Sequence, residues 1–247
     1  MEVDGVPRVR RWIEAARRCA VLTGAGMSAE SGLPTFRDPD GLYARVDPEQ
    51  IASRRGFCAD PARVWGWYAW RREVAAGAQP NAGHLALARA SARFERFDVI
   101  TQNVDGLHRR AGSPSVMELH GNLQRTRCLN PRCNESVDDP ARLPPGCPPR
   151  CPRCGDWLRP DVVWFGESLD RALLMQASAA CTECDLMLVV GTSGVVQPAA
   201  GLARIAAAAG AHVVVINPQP TELDDAANVI LTATAAGALP LLLDASV

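Results

Sequence analysis

The sequence has no apolar run near the roughly 20 residues that a membrane helix requires, and its opening residues, MEVDGVPRVRRW, lack the apolar stretch and cleavage site of a signal peptide. Aromatic residues make up only 5% of it, and 26 Lys plus Arg against 27 Asp plus Glu leave a net charge of −1. Without an excess of positive charge, attachment to nucleic acid by bulk electrostatics is excluded. Hydrophobic residues at 47% and charged residues at 21% exclude a disordered chain. Internal repeats and a low-complexity tail are also missing. The expectation is a soluble, cytoplasmic protein with neither membrane nor nucleic-acid partners. A chain of 247 residues buries roughly 70 to 75% of its unfolded surface, enough for one elaborated domain without staples.

What the sequence does hold is nine cysteines, many for a compartment that keeps thiols reduced. Cys128, Cys133, Cys147, Cys151 and Cys154 cluster, while Cys19, Cys58, Cys181 and Cys184 are scattered. Cys128-x4-Cys133, seventeen residues, then Cys151-x2-Cys154 with Gly155 behind it has the spacing of paired zinc knuckles. Two short loops, each presenting two thiolates, complete a tetrahedron and leave no open position for water, so such a zinc is structural. The surrounding stretch is too poor in apolar residues to order itself without a crosslink. Cys147 could replace Cys151 at a wider spacing. Cys181-x2-Cys184 precedes an apolar run, and a buried structural role is expected for it.

Short apolar segments recur, each ending in turn chemistry: 19–23 before Gly24, 97–101 before Gln102-Asn103, 186–190 before Gly191 and 212–216 before Asn217. Continuous runs instead of alternation predict strands covered on both faces, hence a doubly wound parallel α/β sheet. Ala-rich stretches at 82–93 and 199–209 read as its helices. Ligands bind beyond the carboxyl ends of such strands, where the Gly, Gln, Asn, Asp and Ser residues gather. Two segments interrupt the pattern and read as inserts. One, about 36–77, holds Trp65, Trp67, Trp70 and both tyrosines; the other, 121–160, is rich in Pro and Cys.

Thr23-Gly24-Ala25-Gly26-Met27-Ser28 follows the first strand and is expected to open a helix. Its glycines allow a tight turn and close approach to a pyrophosphate, with backbone amides as donors. The acidic residue that a dehydrogenase places about 20 positions later is replaced by Pro34-Thr35-Phe36-Arg37-Asp38, which disfavours hydride transfer. Gln102, Asn103 and Asp105 supply an amide pair and a carboxylate suited to ribose and carboxamide recognition. His120, in Glu118-Leu119-His120-Gly121, is the candidate general base. From the residues alone a structural imidazole is as compatible there, and it is the reading given to His84, His108 and His212.

Taken together, GAGMSAESGLPTFR, TQNVDGLHRRAG, ELHG, the two cysteine pairs, PDVVWFGE, GTSGVVQPAA and INPQ resemble the sirtuin family of NAD-dependent protein deacylases over about residues 13–240. The resemblance implies a Rossmann-like part over 1–35, 80–120 and 161–247, a helical insert and cofactor loop over 36–79, and a zinc-binding module over 121–160. It implies one structural zinc, NAD as a consumed cosubstrate, and acylated-lysine proteins or peptides as partners. Gly24, Ala25, Gly26 and Ser28 would then line the phosphates, and Phe36 and Arg37 the cofactor loop. Gln102, Asn103 and Asp105 would hold nicotinamide and its ribose, with Gly191, Thr192, Ser193, Asn217, Gln219 and Ala235 on the adenosine side. Asn103, Asp105 and His120 would form the catalytic group, His120 acting as base toward a ribose hydroxyl. The products would be free lysine, nicotinamide and O-acyl-ADP-ribose.

Val163, Phe165 and Gly166 would pair with the substrate backbone as an added strand. Tyr68 and Arg71, three apart in an expected helix, share a face and offer a phenol and a guanidinium to one carboxylate. They match the pair in the sirtuin subgroup that removes malonyl, succinyl and glutaryl groups, and Ala52 matches a small residue that leaves room for the longer acyl chain. That implies desuccinylation above deacetylation. The alternative is a protein ADP-ribosyltransferase using the same NAD site. A noncatalytic NAD-binding module would need no base, yet Asn103, Asp105 and His120 are all present.

Overall fold

The computed structural model describes residues 5–35, 46–137 and 146–244. In chain order the strands are β1 (Arg18–Thr23), β2 (Arg96–Thr101), β3 (Val116–Glu118), β4 (Gly121–Cys128), β5 (Ser136–Val137), β6 (Leu158–Val162), β7 (Leu186–Val190), β8 (His212–Ile216) and β9 (Val229–Leu231). Six of them form one all-parallel sheet in the order β3-β2-β1-β7-β8-β9. The chain order reverses between β1 and β7, which is the topological switch point.

Burial explains the continuous apolar runs. Alternate residues of each strand enter different apolar layers: Cys19 and Val21 of β1 with Leu186, Leu188 and Val190 of β7 on one face, Ala20 and Leu22 with Met187 and Val189 on the other. The first face is covered by α1 (Gly5–Ala15), α6 (Ala82–Ala90) and α10 (Ala235–Leu243), the second by α8 (Arg171–Glu183) and α9 (Gly201–Ala208). The expected doubly wound sheet is therefore present. The helices expected at 82–93 and 199–209 are shorter, α6 giving way to a 3-10 turn over Ser91–Arg93 and α9 starting two residues later. No helix of the described residues is long and apolar enough to cross a membrane.

The stretches that break the pattern build a second, smaller lobe. β4 pairs antiparallel with both β5 and β6. Against it lie the helices of the first insert, α3 (Pro48–Ile51), α4 (Arg54–Ala59) and α5 (Pro61–Gly77). Asp60 caps α5 by accepting the Arg63 N–H, and Pro61 at the first helical position needs no donor there. The two inserts share one apolar cluster, with Ala52, Phe57, Val64 and Tyr68 meeting Leu123, Leu129, Val162 and Trp164. Arg72 of α5 ties them further. Its guanidinium donates to the Leu123 carbonyl (2.6 Å) and the Thr126 hydroxyl (3.0 Å) and stacks on Trp65. Burial pulls its pKa down to about 10, and these acceptors keep the charge satisfied.

Candidate active site

At the switch point the loops leaving β1 and β7 touch without side chains between them. A Cβ on Gly24 would lie 2.7 Å from the Thr192 side chain, and one on Gly26 2.8 Å from the Gly191 Cα. Gly191 sits at φ +60, and a side chain there would meet the Met27 nitrogen at 2.3 Å. The glycines thus bring two loops together at the edge of a cavity of about 1080 Å³. The helix the glycine loop opens, α2 (Gly26–Ala29), is a single turn. Individual amides, not a long helix dipole, are what the loop offers to an anion.

Polar groups at the end of β2 are fixed by this loop. The Asn103 side-chain amide donates to the Gly24 carbonyl (2.9 Å) and the Ser28 hydroxyl (3.2 Å), and Ser28 in turn donates to Asp105 (2.8 Å). The second Asp105 oxygen accepts the Leu107 N–H at the start of α7 (Leu107–Arg110). Burial raises the Asp105 pKa, and these two hydrogen bonds oppose the rise. Gln102 donates to the Thr192 hydroxyl, bridging the ends of β2 and β7.

His120 follows β3, in the same cavity. Its Nδ1 lies 3.0 Å from the Gln102 carbonyl, which can only accept, so Nδ1 carries the proton and the neutral ring keeps its lone pair on Nε2. Burial lowers its pKa below the ordinary 6.5, while the bond to Gln102 pulls the other way. A neutral base at neutral pH results. Glu118 braces this loop, its buried carboxylate accepting from Asn122 (2.6 Å) and Arg125 (2.8 Å). The other histidines are structural, as expected. His84 caps α6 in a reciprocal pair with Asn81, His108 bonds the Thr23 hydroxyl, and His212 stacks on Trp12.

The small lobe supplies the opposite wall. Ala52, Tyr68 and Arg71 line it together with Val163, Phe165 and Gly166. Arg71 lies over the rings of Trp67 (4.8 Å) and Tyr68 (5.6 Å) and is close enough to Asp105 to lower its pKa. The backbone N–H groups of Val163, Trp164 and Phe165 are used inside the chain, by the carbonyl of His120, the carboxylate of Glu167 and the carbonyl of Ala52.

The four sulfurs of Cys128, Cys133, Cys151 and Cys154 lie within 4.8 Å of one another, with the Cys128–Cys154 and Cys133–Cys151 pairs at 3.4 and 3.7 Å. A zinc tetrathiolate with bonds of ~2.3 Å has sulfur–sulfur edges of about 3.8 Å, so the set fits that ion. Cys147 is exposed and is not among these four. Cys181 and Cys184 are buried against the sheet, in the structural role expected of them.

The cavity brings together Gly24, Ala25, Gly26, Ser28, Gln102, Asn103, Asp105, His120, Gly191, Thr192, Ser193, Asn217, Gln219 and Ala235, besides the six residues on the lobe side. Phe36 and Arg37 lie outside the described residues. The sequence reading missed Glu30, Trp70, Val74, Leu123 and Arg171, which also line the wall. Glu30 accepts the Ala236 N–H (2.7 Å) and the Thr234 hydroxyl (3.0 Å), clamping the start of α10 beside Ala235. Its partners lie more than 200 residues away, a distance no local pattern reveals.

Residues 24–198 match the Sir2 family. A protein of Ralstonia nicotianae named NAD-dependent protein deacylase is 50% identical over 237 residues, covering 96% of this chain and 95% of its own. One of Thermus thermophilus with the same name is 46% identical over 248 residues, covering 99% and 96%. Among solved structures, a Sir2 homologue in complex with NAD aligns with a TM-score of 0.88 at 44% identity, covering 96% of this chain and 92% of the other. A Sir2 variant with a deacetylated p53 peptide and 3'-O-acetyl ADP ribose aligns at 0.84 and 32%, covering 97% of both.

Proposed function

Because the chain belongs to the Sir2 family of enzymes, the sirtuins, we propose that it removes acyl groups from protein lysines with consumption of NAD. One observation carries this reading: His120, with Nε2 kept as acceptor, shares a single cavity with the glycine loop and with Asn103 and Asp105. Bound NAD supplies an electrophilic ribose carbon and a nicotinamide leaving group. Gly24, Ala25, Gly26 and Ser28 would hold its phosphates, with Gly191, Thr192, Ser193, Asn217, Gln219 and Ala235 on the adenosine side. Gln102, Asn103 and Asp105 would orient the nicotinamide ribose, and His120 Nε2 would take a ribose hydroxyl proton. Cys128, Cys133, Cys151 and Cys154 would hold one zinc that shapes the lobe without touching the reaction. Phe36 and Arg37 would belong to the cofactor loop.

Val163, Phe165 and Gly166 would bind the peptide backbone. With three N–H groups already spent, this edge would recognise the peptide chiefly through acceptors. Tyr68 and Arg71, over the room left by Ala52, would receive the carboxylate of a succinyl, malonyl or glutaryl group, so desuccinylation would exceed deacetylation. A carboxylate would accept charge-assisted hydrogen bonds from Arg71 and Tyr68 that a neutral acyl end cannot, and that difference sets this order. The domain limits would be those of the sequence reading, and the setting cytoplasmic. The chain contains no lysine at all, so no internal side chain can be its own substrate. ADP-ribosyl transfer to a protein nucleophile at the same NAD site is less supported, because the relatives that align over nearly the whole chain are named deacylases.

The test is mass spectrometry of succinyl- and acetyl-lysine peptides with NAD. Nicotinamide and O-acyl-ADP-ribose should appear in equal amounts, and His120→Ala should lose at least about a hundredfold in rate. Because His120 must be neutral to act, the rate should be flat above pH 6.5 and fall on the acid side. Absence of nicotinamide release defeats the reading, and equal losses on both peptides in Arg71→Met defeat its acyl part.

A further inference from the structure

Trp164 is buried between the peptide-binding edge and the acyl end of the cavity, at 2% exposure, beside Tyr68 at 1%. Its indole Nε1 lies 3.0 Å from the Tyr68 oxygen. An indole N–H can only donate, so the phenol oxygen accepts there and its own proton must be directed elsewhere. The indole is itself held in place. Phe57 packs at 5.3 Å between centroids, and the Arg159 guanidinium stacks 3.3 Å from the ring centre. Arg159 is locked by Glu167 and by the carbonyl of Val162. Glu167 also accepts the backbone N–H of Trp164, so the same carboxylate fixes both the backbone and, through Arg159, the ring.

We propose that Trp164 is a positioning residue for acyl selectivity: by donating to the Tyr68 oxygen it aims the phenol proton at the carboxylate of an acidic acyl group. A donor fixed in direction matters for a charged acceptor and little for an alkyl chain of the same length, since only the former loses a charge-assisted hydrogen bond when the phenol turns away. Trp164 thereby links the segment that reads the peptide backbone to the residue that reads the acyl end. This rests on the assignment of Tyr68 and Arg71 to the acyl pocket.

The experiment measures kcat/KM on succinyl-lysine and butyryl-lysine peptides for the wild type, Trp164→Phe, Tyr68→Phe and the double variant. Phenylalanine keeps an aromatic filler and removes the donor. Trp164→Phe should lower desuccinylation about tenfold and debutyrylation less than twofold. In the Tyr68→Phe background the same change should have no selective effect, because the oxygen it orients is gone. Equal losses on both peptides, or a selective loss that persists without the Tyr68 oxygen, overturn the proposal and leave Trp164 a structural residue. If Tyr68→Phe and Arg71→Met are themselves unselective, the acyl-pocket assignment has failed, a result distinct from the other two.

Discussion

The two lobes are held together by different physics. The sheet lobe is built of apolar layers on both faces of six strands, so every central strand is locked twice. Around the cysteines of the small lobe, by contrast, the buried apolar cluster amounts, among the described residues, to Cys128, Cys151 and Leu158, with Cys133 packed against it. What surrounds this cluster is polar: Arg125, Arg127 and Arg159 pair with Glu118, Asp161 and Glu167 along β4 and β6. Arg125 and Arg127 are 34% and 41% exposed, where an ion pair contributes little, and at buried Arg159 desolvation offsets much of the attraction, so the network sets geometry more than stability. The sheet side of the active site therefore stands on burial alone, while the lobe side joins the apolar cluster of the inserts to a thiolate set that fits a metal ion. The cavity between them depends on both.

The largest expected effect follows from that contrast. Stripping the metal with a chelator, or changing Cys151→Ser, should abolish activity by more than about a hundredfold, as the thiolates are the cluster's main crosslink. Tryptophan fluorescence should shift, since Trp157 and Trp164 lie in this lobe, while most of the helical circular dichroism should stay. Metal analysis should give one zinc per chain. Loss of the whole fold on chelation would show that the sheet lobe does not stand alone.

Acid should find the weak point of the sheet lobe instead. Burial holds His84 at about 4 and His108 at about 3, both below the ordinary 6.5, their rings 4.8 Å apart. The unfolded chain therefore binds more protons than the folded one between those values. Stability should be complete above pH 6.5 and decline as pH falls toward 4, by on the order of a few kcal/mol. Urea melts at pH 7 and pH 5 measure this, and His108→Gln should flatten the dependence. A stability independent of pH over that range would contradict the burial of the pair.

The smallest effect concerns the rim. Glu30→Ala removes two hydrogen bonds that clamp α10, and should raise the KM for NAD about threefold to tenfold with kcat nearly unchanged. An equal fall in kcat would place Glu30 nearer the chemistry than the clamp implies.

Legibility in the sequence divides along the same line. The strands of the sheet lobe were readable because burial on both faces leaves uninterrupted apolar runs, and the observed 186–190 and 212–216 strands carry the expected limits. The thiolate pairs were readable because a tetrahedral ion imposes spacing. What the chain did not disclose is long-range and polar. Nothing local says that the inserts on either side of the second strand condense on one another, through a shared apolar cluster and the bond from Arg72 to the carbonyl of Leu123. The tautomer of His120, open by residue type, is set by the carbonyl facing its Nδ1. Trp164 lies within the motif expected to pair with the substrate backbone, and its donor to Tyr68 joins residues 96 positions apart.

β4 and β6, which carry the chain into and out of the cysteine module, lie side by side, with Gly121 paired to Val162. The segment between them is thus a cassette with adjoining ends, whose chain leaves and rejoins its host at one place. Such an insertion can lengthen, shrink or be exchanged without re-threading the parent sheet, so the substrate-facing wall can diversify while the nucleotide-facing wall stays as it is.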